Sequence, residues 1–209
     1  MINPFSVKTP ETLTSKDIAT LFIDVFSDFP KVLEFNHTFI HGARGTGKSM
    51  MLRYLEPKVQ LEAGKVNKYS DLDFFAIHLP IKTANYNLAE LDRLKEAPYW
   101  IFSEHFFITL ICNTILVKLR DIAPLETNSE IKKFLDNVLD LISWFGEVNV
   151  EEINSLQELE KVFSREKINI KRYLSLISFN KDNENYNGII FDYEDFFVQF
   201  IKLVRELSF

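Results

Sequence analysis

Apolar residues recur along this chain with two different periods. Ile18, Leu21, Phe22, Val25, Phe26 and Phe29 fall at helical spacing and predict a helix over 15–29, opened by a Thr14–Asp17 capping signal and ended by Pro30. Thr38-Phe39-Ile40-His41 is a short β-prone run, followed directly by a glycine cluster and then by Ser49–Leu55, which has helical character and is closed by Pro57. Phe74–Ile81 is apolar nearly throughout, the pattern of a strand buried on both faces, with Pro80 taking its last residues out of the sheet. A polar stretch, 82–96, holds a short helix around Leu88, Leu91 and Leu94. Pro98 introduces a long apolar helix to about Arg120.

The remainder reads as mostly helical. Ile131, Phe134, Leu135, Val138, Leu141, Ile142 and Phe145 mark a helix over 130–145. Ser155 and Glu158 form a capping-box pattern before a helix that carries Leu159, Val162 and Phe163 and continues or restarts over 166–178. A polar loop, 180–188, leads to a brief strand, Ile189-Ile190-Phe191, and a last amphipathic helix, Phe196–Leu207. No internal repeat interrupts this order. Strand, glycine loop, helix predicts an α/β fold with a parallel sheet core: a single helix-rich domain over 1–209 with a helical insertion or extension around 98–180. Two good strands and one weak one are fewer than such a core normally uses. The chain therefore reads as the N-terminal part of a longer one.

Composition narrows the class. With 46% hydrophobic and 26% charged residues, the chain can bury a core and stay soluble. Its net charge of −6 gives no support to general nucleic-acid affinity, which rests on neutralising phosphates. Cys112 is the single cysteine, so no internal disulfide forms, which fits a reducing cytoplasm; in its apolar run it reads as a small buried hydrophobe. Trp100–Leu119 is long enough to span a bilayer, but Glu104, His105, Asn113 and Lys118 make it the core helix of a soluble protein, with no membrane partner.

The chemistry concentrates in Gly42-Ala43-Arg44-Gly45-Thr46-Gly47-Lys48-Ser49, which meets the phosphate-loop pattern Gly-x-x-x-x-Gly-Lys-[Ser/Thr]. A loop that wraps a polyphosphate must turn its N–H groups inward, and side chains at 42, 45 and 47 would block the approach. The helix beginning near Lys48, including the amide of Met50, offers free N–H groups and a positive dipole end. Lys48 supplies charge to the β- and γ-phosphates and is the candidate for catalytic charge stabilisation. The Ser49 hydroxyl is the candidate Mg²⁺ ligand. Arg44 reads as pointing to solvent. The implied cofactors are ATP and Mg²⁺.

Hydrolysis needs acids that hold the metal and polarise water. The best match is Ile189-Ile190-Phe191-Asp192-Tyr193-Glu194, with a short apolar run and separated acids, so Asp192 and Glu194 are weak catalytic candidates, and a turn with surface acids is the plainer reading.

Asn3-Pro4-Phe5, Leu21-Phe22-Ile23-Asp24, Phe39 through Arg53, Leu79-Pro80-Ile81-Lys82 and Glu104-His105-Phe106 together resemble bacterial AAA-type ATPases of the origin-recognition-complex-like group. The resemblance covers most of the chain, but only the glycine loop is a highly specific motif. It implies a P-loop NTPase fold of the AAA/ASCE type, ATP with Mg²⁺, and nucleotide-dependent association, as a homo-oligomer or with a protein partner. It also implies that Phe5–Thr9 lie near the adenine, and that the family's acidic strand would follow a helix like Phe196–Leu207, beyond residue 209. An arginine finger is not assigned.

His37 and His41 flank a strand, where a four-residue spacing does not converge on a metal. His78 and His105 read as satisfied core or boundary residues, and Asp71 and Asp73 as the solvated entrance to a strand. Three functions remain open: an AAA-type ATPase or switch, a non-hydrolysing nucleotide-binding interaction module, and a small-molecule kinase. The last lacks a visible lid, since Arg93, Arg120 and Arg165 are scattered.

Overall fold

The computed structural model describes residues 10–24, 29–34, 36–79, 91, 94, 96–123, 129–147, 153–178 and 185–207. They belong to two compact units, Met1–His78 and Leu79–Phe209.

In the first unit, α1 (Ser15–Leu21) opens with the capping box read from the sequence: the Asp17 amide donates to Thr14 Oγ1 at 3.2 Å, and the Thr14 amide donates to Asp17 Oδ2 at 3.1 Å. The helix is shorter than the 15–29 apolar stripe predicts. It stops because Phe22 leaves the helical region (φ −72°, ψ 127°) and its ring stacks on Tyr54 with centroids 4.1 Å apart. Phe29, in a 3₁₀ turn over Phe29–Leu33, packs on the same two rings. Pro30 lies within that turn rather than ending a helix; Val25 and Phe26 lie outside the described residues.

Helix α2 (Lys48–Tyr54) follows the glycine loop, and α3 (Pro57–Glu62) starts with Pro57 at its first position, where the missing N–H costs nothing. Ile18, Tyr54 and Val59 form the core of this unit, flanked by Leu13, Phe22, Phe29 and Met50. Arg53 is buried beside them. Its guanidinium donates to the carbonyls of Pro10 and Leu13 and to Glu56 Oε1, the last at 3.3 Å, so it ties the segment ahead of α1 to the helix that leaves the loop.

The second unit is built on α4 (Ala97–Ile122) and α6 (Leu156–Ser178), with α5 (Ser129–Ser143) and α7 (Val198–Arg205) packed beside them. Two direct cross-links hold α4 and α6 antiparallel: Arg120 pairs with Glu160, and Ser164 Oγ donates to Asn113 Oδ1 at 3.0 Å; His105 and Glu166 face each other further along and are bridged by the Tyr186 hydroxyl. The Ser155–Glu158 box caps α6, with the Glu158 amide 3.2 Å from Ser155 Oγ. Helix α4 is long and apolar enough to cross a membrane by length and composition, yet it buries Phe102, Phe106, Ile115, Leu116 and Leu119, as a core helix does. Cys112 is fully buried among them, and burial pushes its thiol well above its ordinary range. Phe163, Phe191, Phe196 and Phe200 close the other end of this core, all at most 1% exposed, with Phe191 and Phe196 stacked at 4.0 Å.

The expected parallel sheet core is not seen: the molecule is helix-rich, and the described residues contain no strand. A strand exists through its ladder with a neighbour, and none pairs with 38–41 or 74–79 among the described residues. Phe39 is 95% exposed, the opposite of a central-strand residue. The third expected strand, 189–191, is unpaired for a different reason: side chains take its amides. Ile189 N–H donates to Glu166 Oε1 (3.1 Å), Phe191 N–H to His105 Nδ1 (3.1 Å) and Tyr193 N–H to Glu104 Oε1 (2.7 Å). Residues 80–90, including Pro80, Ile81 and Leu88, lie outside the described residues.

Candidate nucleotide-binding loop

The loop is shaped by two glycines in the left-handed region, Gly45 (φ 90°) and Gly47 (φ 84°), a conformation that residues with a Cβ rarely adopt. A Cβ at Gly42 would stand 3.1 Å from Thr46 Oγ1, whereas one at Gly45 would meet nothing within 4 Å, so the loop is tight at its base and open at its outer turn. Thr46 Oγ1 donates to the Ala43 carbonyl at 2.9 Å and closes the turn.

Lys48 reaches back across the loop. Its Nζ donates to the Gly42 carbonyl at 2.6 Å, the Ala43 carbonyl at 2.7 Å and Thr46 Oγ1 at 3.2 Å. An ammonium has three hydrogens, and all three are used within the loop. The first bond of α2 runs from the Met51 amide to the Gly47 carbonyl at 2.9 Å. The amides of Lys48, Ser49 and Met50 therefore precede any intrahelical acceptor and sit at the positive end of the helix. Met50 sends its side chain into the first unit's core, which holds its backbone in place. Arg44 is exposed.

The structure thus gathers Gly42, Ala43, Arg44, Gly45, Thr46, Gly47, Lys48, Ser49 and Met50 into one turn. These residues fit a triphosphate with its metal: glycine-only conformations, an open outer turn, a cation over the loop, a hydroxyl on the first helical turn. Phe5–Thr9, read as near the base, lie outside the described residues. Asp192 and Glu194 belong to the second unit. Asp192 Oδ1 accepts from the amides of Asp195 (2.7 Å) and Phe196 (3.3 Å), capping a π-turn over Tyr193–Phe197 that runs into α7, and Glu194 is exposed. The helix expected over Phe196–Leu207 accordingly begins as that turn.

A second polar cluster centres on His105, which is the satisfied core residue the sequence suggests, and adds Tyr186 and Glu166, which the sequence reading does not single out. An amide can only donate, so the bond from Phe191 N–H leaves His105 Nδ1 without a proton and puts it on Nε2. Nε2 lies 3.1 Å from Tyr186 Oη, which in turn donates to Glu166 Oε1. His105 is fully buried and Glu166 is 5% exposed. Desolvation lowers the imidazole from 6.5 to about 4; it raises the Glu166 carboxyl and, helped by that carboxylate, the Tyr186 phenol. The sequence signal was a register violation: Glu166 occupies a core position in the stripe Leu159, Phe163, Ile170, Leu174.

A family model described as ORC-CDC6-like matches residues 3–209, nearly the whole chain, and the protein belongs to that family. Membership points to an AAA+-type, ATPase-related function. No curated protein and no solved structure matches the chain.

Proposed function

We propose that residues 42–50 bind ATP with Mg²⁺ and that the protein is a cytoplasmic, nucleotide-dependent switch of the AAA type. The observation that carries this reading is the position of Lys48, whose ammonium is held over the loop by Gly42, Ala43 and Thr46. Triphosphate oxygens are acceptors of the same kind as those the ammonium already engages, with more charge. The amides at 48–50 and the Ser49 hydroxyl extend the same donor and ligand set toward phosphate and metal. Bound Mg²⁺ would neutralise phosphate charge. Calorimetry of the full chain with Mg²⁺–ATP tests the assignment: Lys48→Ala should weaken binding by about a hundredfold, the worth of charge-assisted hydrogen bonds. Unchanged affinity in that variant means the nucleotide does not sit here. A parallel titration with Mg²⁺–GTP decides the base.

A second reading, a nucleotide-binding interaction module without turnover, is favoured by Asp192. Its carboxylate is occupied in capping a helix end rather than presented to a metal. Steady-state phosphate release separates the two.

A further inference from the structure

Helix α6 sorts its charges by face. Its three carboxylates are all committed: Glu158 to the Asn154 amide (2.7 Å) and Ser155, Glu160 to Arg120, and Glu166 to Tyr186 and the Ile189 amide. None is exposed. The exposed positions of the helix are Gln157, Lys161, Arg165, Ile168, Lys171, Arg172 and Ser175, four of them cationic. Lys161, Arg165, Ile168 and Arg172 follow one another at i, i+4, i+7 and i+11, so they form a single stripe of roughly 16 Å at about 1.5 Å per residue. Ile168 stands in its middle and is 62% exposed. Lys161 has Glu158 as its acidic neighbour at the N-terminal end; the α6 carboxylates leave the stretch from Arg165 to Arg172 uncompensated.

A solvated helix face usually mixes both signs of charge and carries no large aliphatic side chain at its centre. This face does the reverse, in a chain whose net charge is −6. We propose that the outer face of α6 docks an acidic, amphipathic protein helix: carboxylates set against Lys161, Arg165 and Arg172, and an apolar side chain seated on Ile168. Arginine and an apolar centre ringed by polar groups are the make-up of protein interfaces. Phosphate backbones offer nothing for Ile168, and the acidic chain as a whole repels a long polyanion, which sets a short acidic protein segment ahead of a nucleic acid.

The test uses the full chain and three labelled probes at physiological salt, read by fluorescence anisotropy: a 20-residue helical peptide with Glu and Leu at matching spacing, the same peptide with Leu replaced by Ser, and a 20-base-pair DNA duplex. The Glu/Leu peptide should bind saturably, and the Ser peptide and the duplex should bind at least about tenfold more weakly. K161E/R165E should weaken the Glu/Leu peptide at least about tenfold, and Ile168→Ser at least about threefold, with circular dichroism and thermal midpoints unchanged at these exposed positions. Should the charge-reversed pair fail to fold, K161Q/R165Q with a salt titration replaces it. The proposal is overturned by absence of saturable binding, by equal binding of the Ser peptide, by tighter binding of the duplex, or by wild-type self-association in sedimentation that K161E/R165E abolishes, which would make a second copy the occupant.

Discussion

Gly188 and Glu166 approach so closely that a Cβ on Gly188 would lie 1.9 Å from Glu166 Oε1. It would also lie 2.6 Å from the Tyr186 ring. Neither neighbour can swing aside freely, because the buried carboxylate and the half-buried phenol are bonded to each other. Gly188→Ala should therefore destabilise the second unit by about 2 kcal/mol, an overpacking cost, measurable as a lower urea midpoint. An unchanged midpoint would show that the network yields without loss.

Tyr186 sits between His105 Nε2 and Glu166 and serves both. Tyr186→Phe removes one hydroxyl and deprives both partners of it, so the loss should be about 2–3 kcal/mol, more than one ordinary hydrogen bond. Glu166→Gln keeps an acceptor and should cost about 1 kcal/mol. In a double-mutant cycle the two should couple by at least about 1 kcal/mol; strict additivity would mean that they do not act as one unit.

His105 gives the fold an acid limit. Its unfolded value is 6.5 and its folded value about 4. Between these the unfolded chain binds the extra proton, so the contribution is complete above pH 6.5 and is lost as pH falls toward 4, by about 3 kcal/mol in all. Glu166 works the other way. Its raised carboxyl favours the fold at low pH, and that contribution declines as pH rises above 4.5, so the net slope is smaller than His105 alone gives. Urea unfolding at pH 4–7 isolates the histidine when wild type is compared with His105→Asn. The variant should lose the extra acid sensitivity, and parallel curves for the two proteins would refute the assignment.

Asp192 separates capping from catalysis. Asp192→Ala should cost about 1 kcal/mol of stability through the lost cap, while Asp192→Asn, which caps as well, should cost little. Neither should change the rate of phosphate release. A rate abolished in the stable Asn variant would make Asp192 a catalytic acid after all.

What could be read in the sequence follows the range of the interactions. The glycine loop and the Thr14 and Ser155 caps are written within a few residues, and the structure places each where the spacing puts it. The long amphipathic helices are legible for the same reason. The end of α1 is not, since Phe22 and Phe29 continue the helical stripe in sequence yet turn to Tyr54, a partner more than twenty residues on. The sheet failed at longer range still: 38–41, 74–79 and 189–191 have strand composition, but composition cannot supply the neighbour whose carbonyls and amides make a ladder. For 189–191 the substitutes are His105 and Glu166, side chains contributed by two helices, and no local pattern announces that.

That substitution also makes one set of hydrogen bonds conditional on a packing contact made elsewhere. Acceptors for the amides of 189, 191 and 193 exist as a set only once α4 has met α6, because each helix alone offers part of it. The chain after Gly188 thus rests on a template that both helices share, and whatever pries those two helices apart should release the carboxyl-terminal turn.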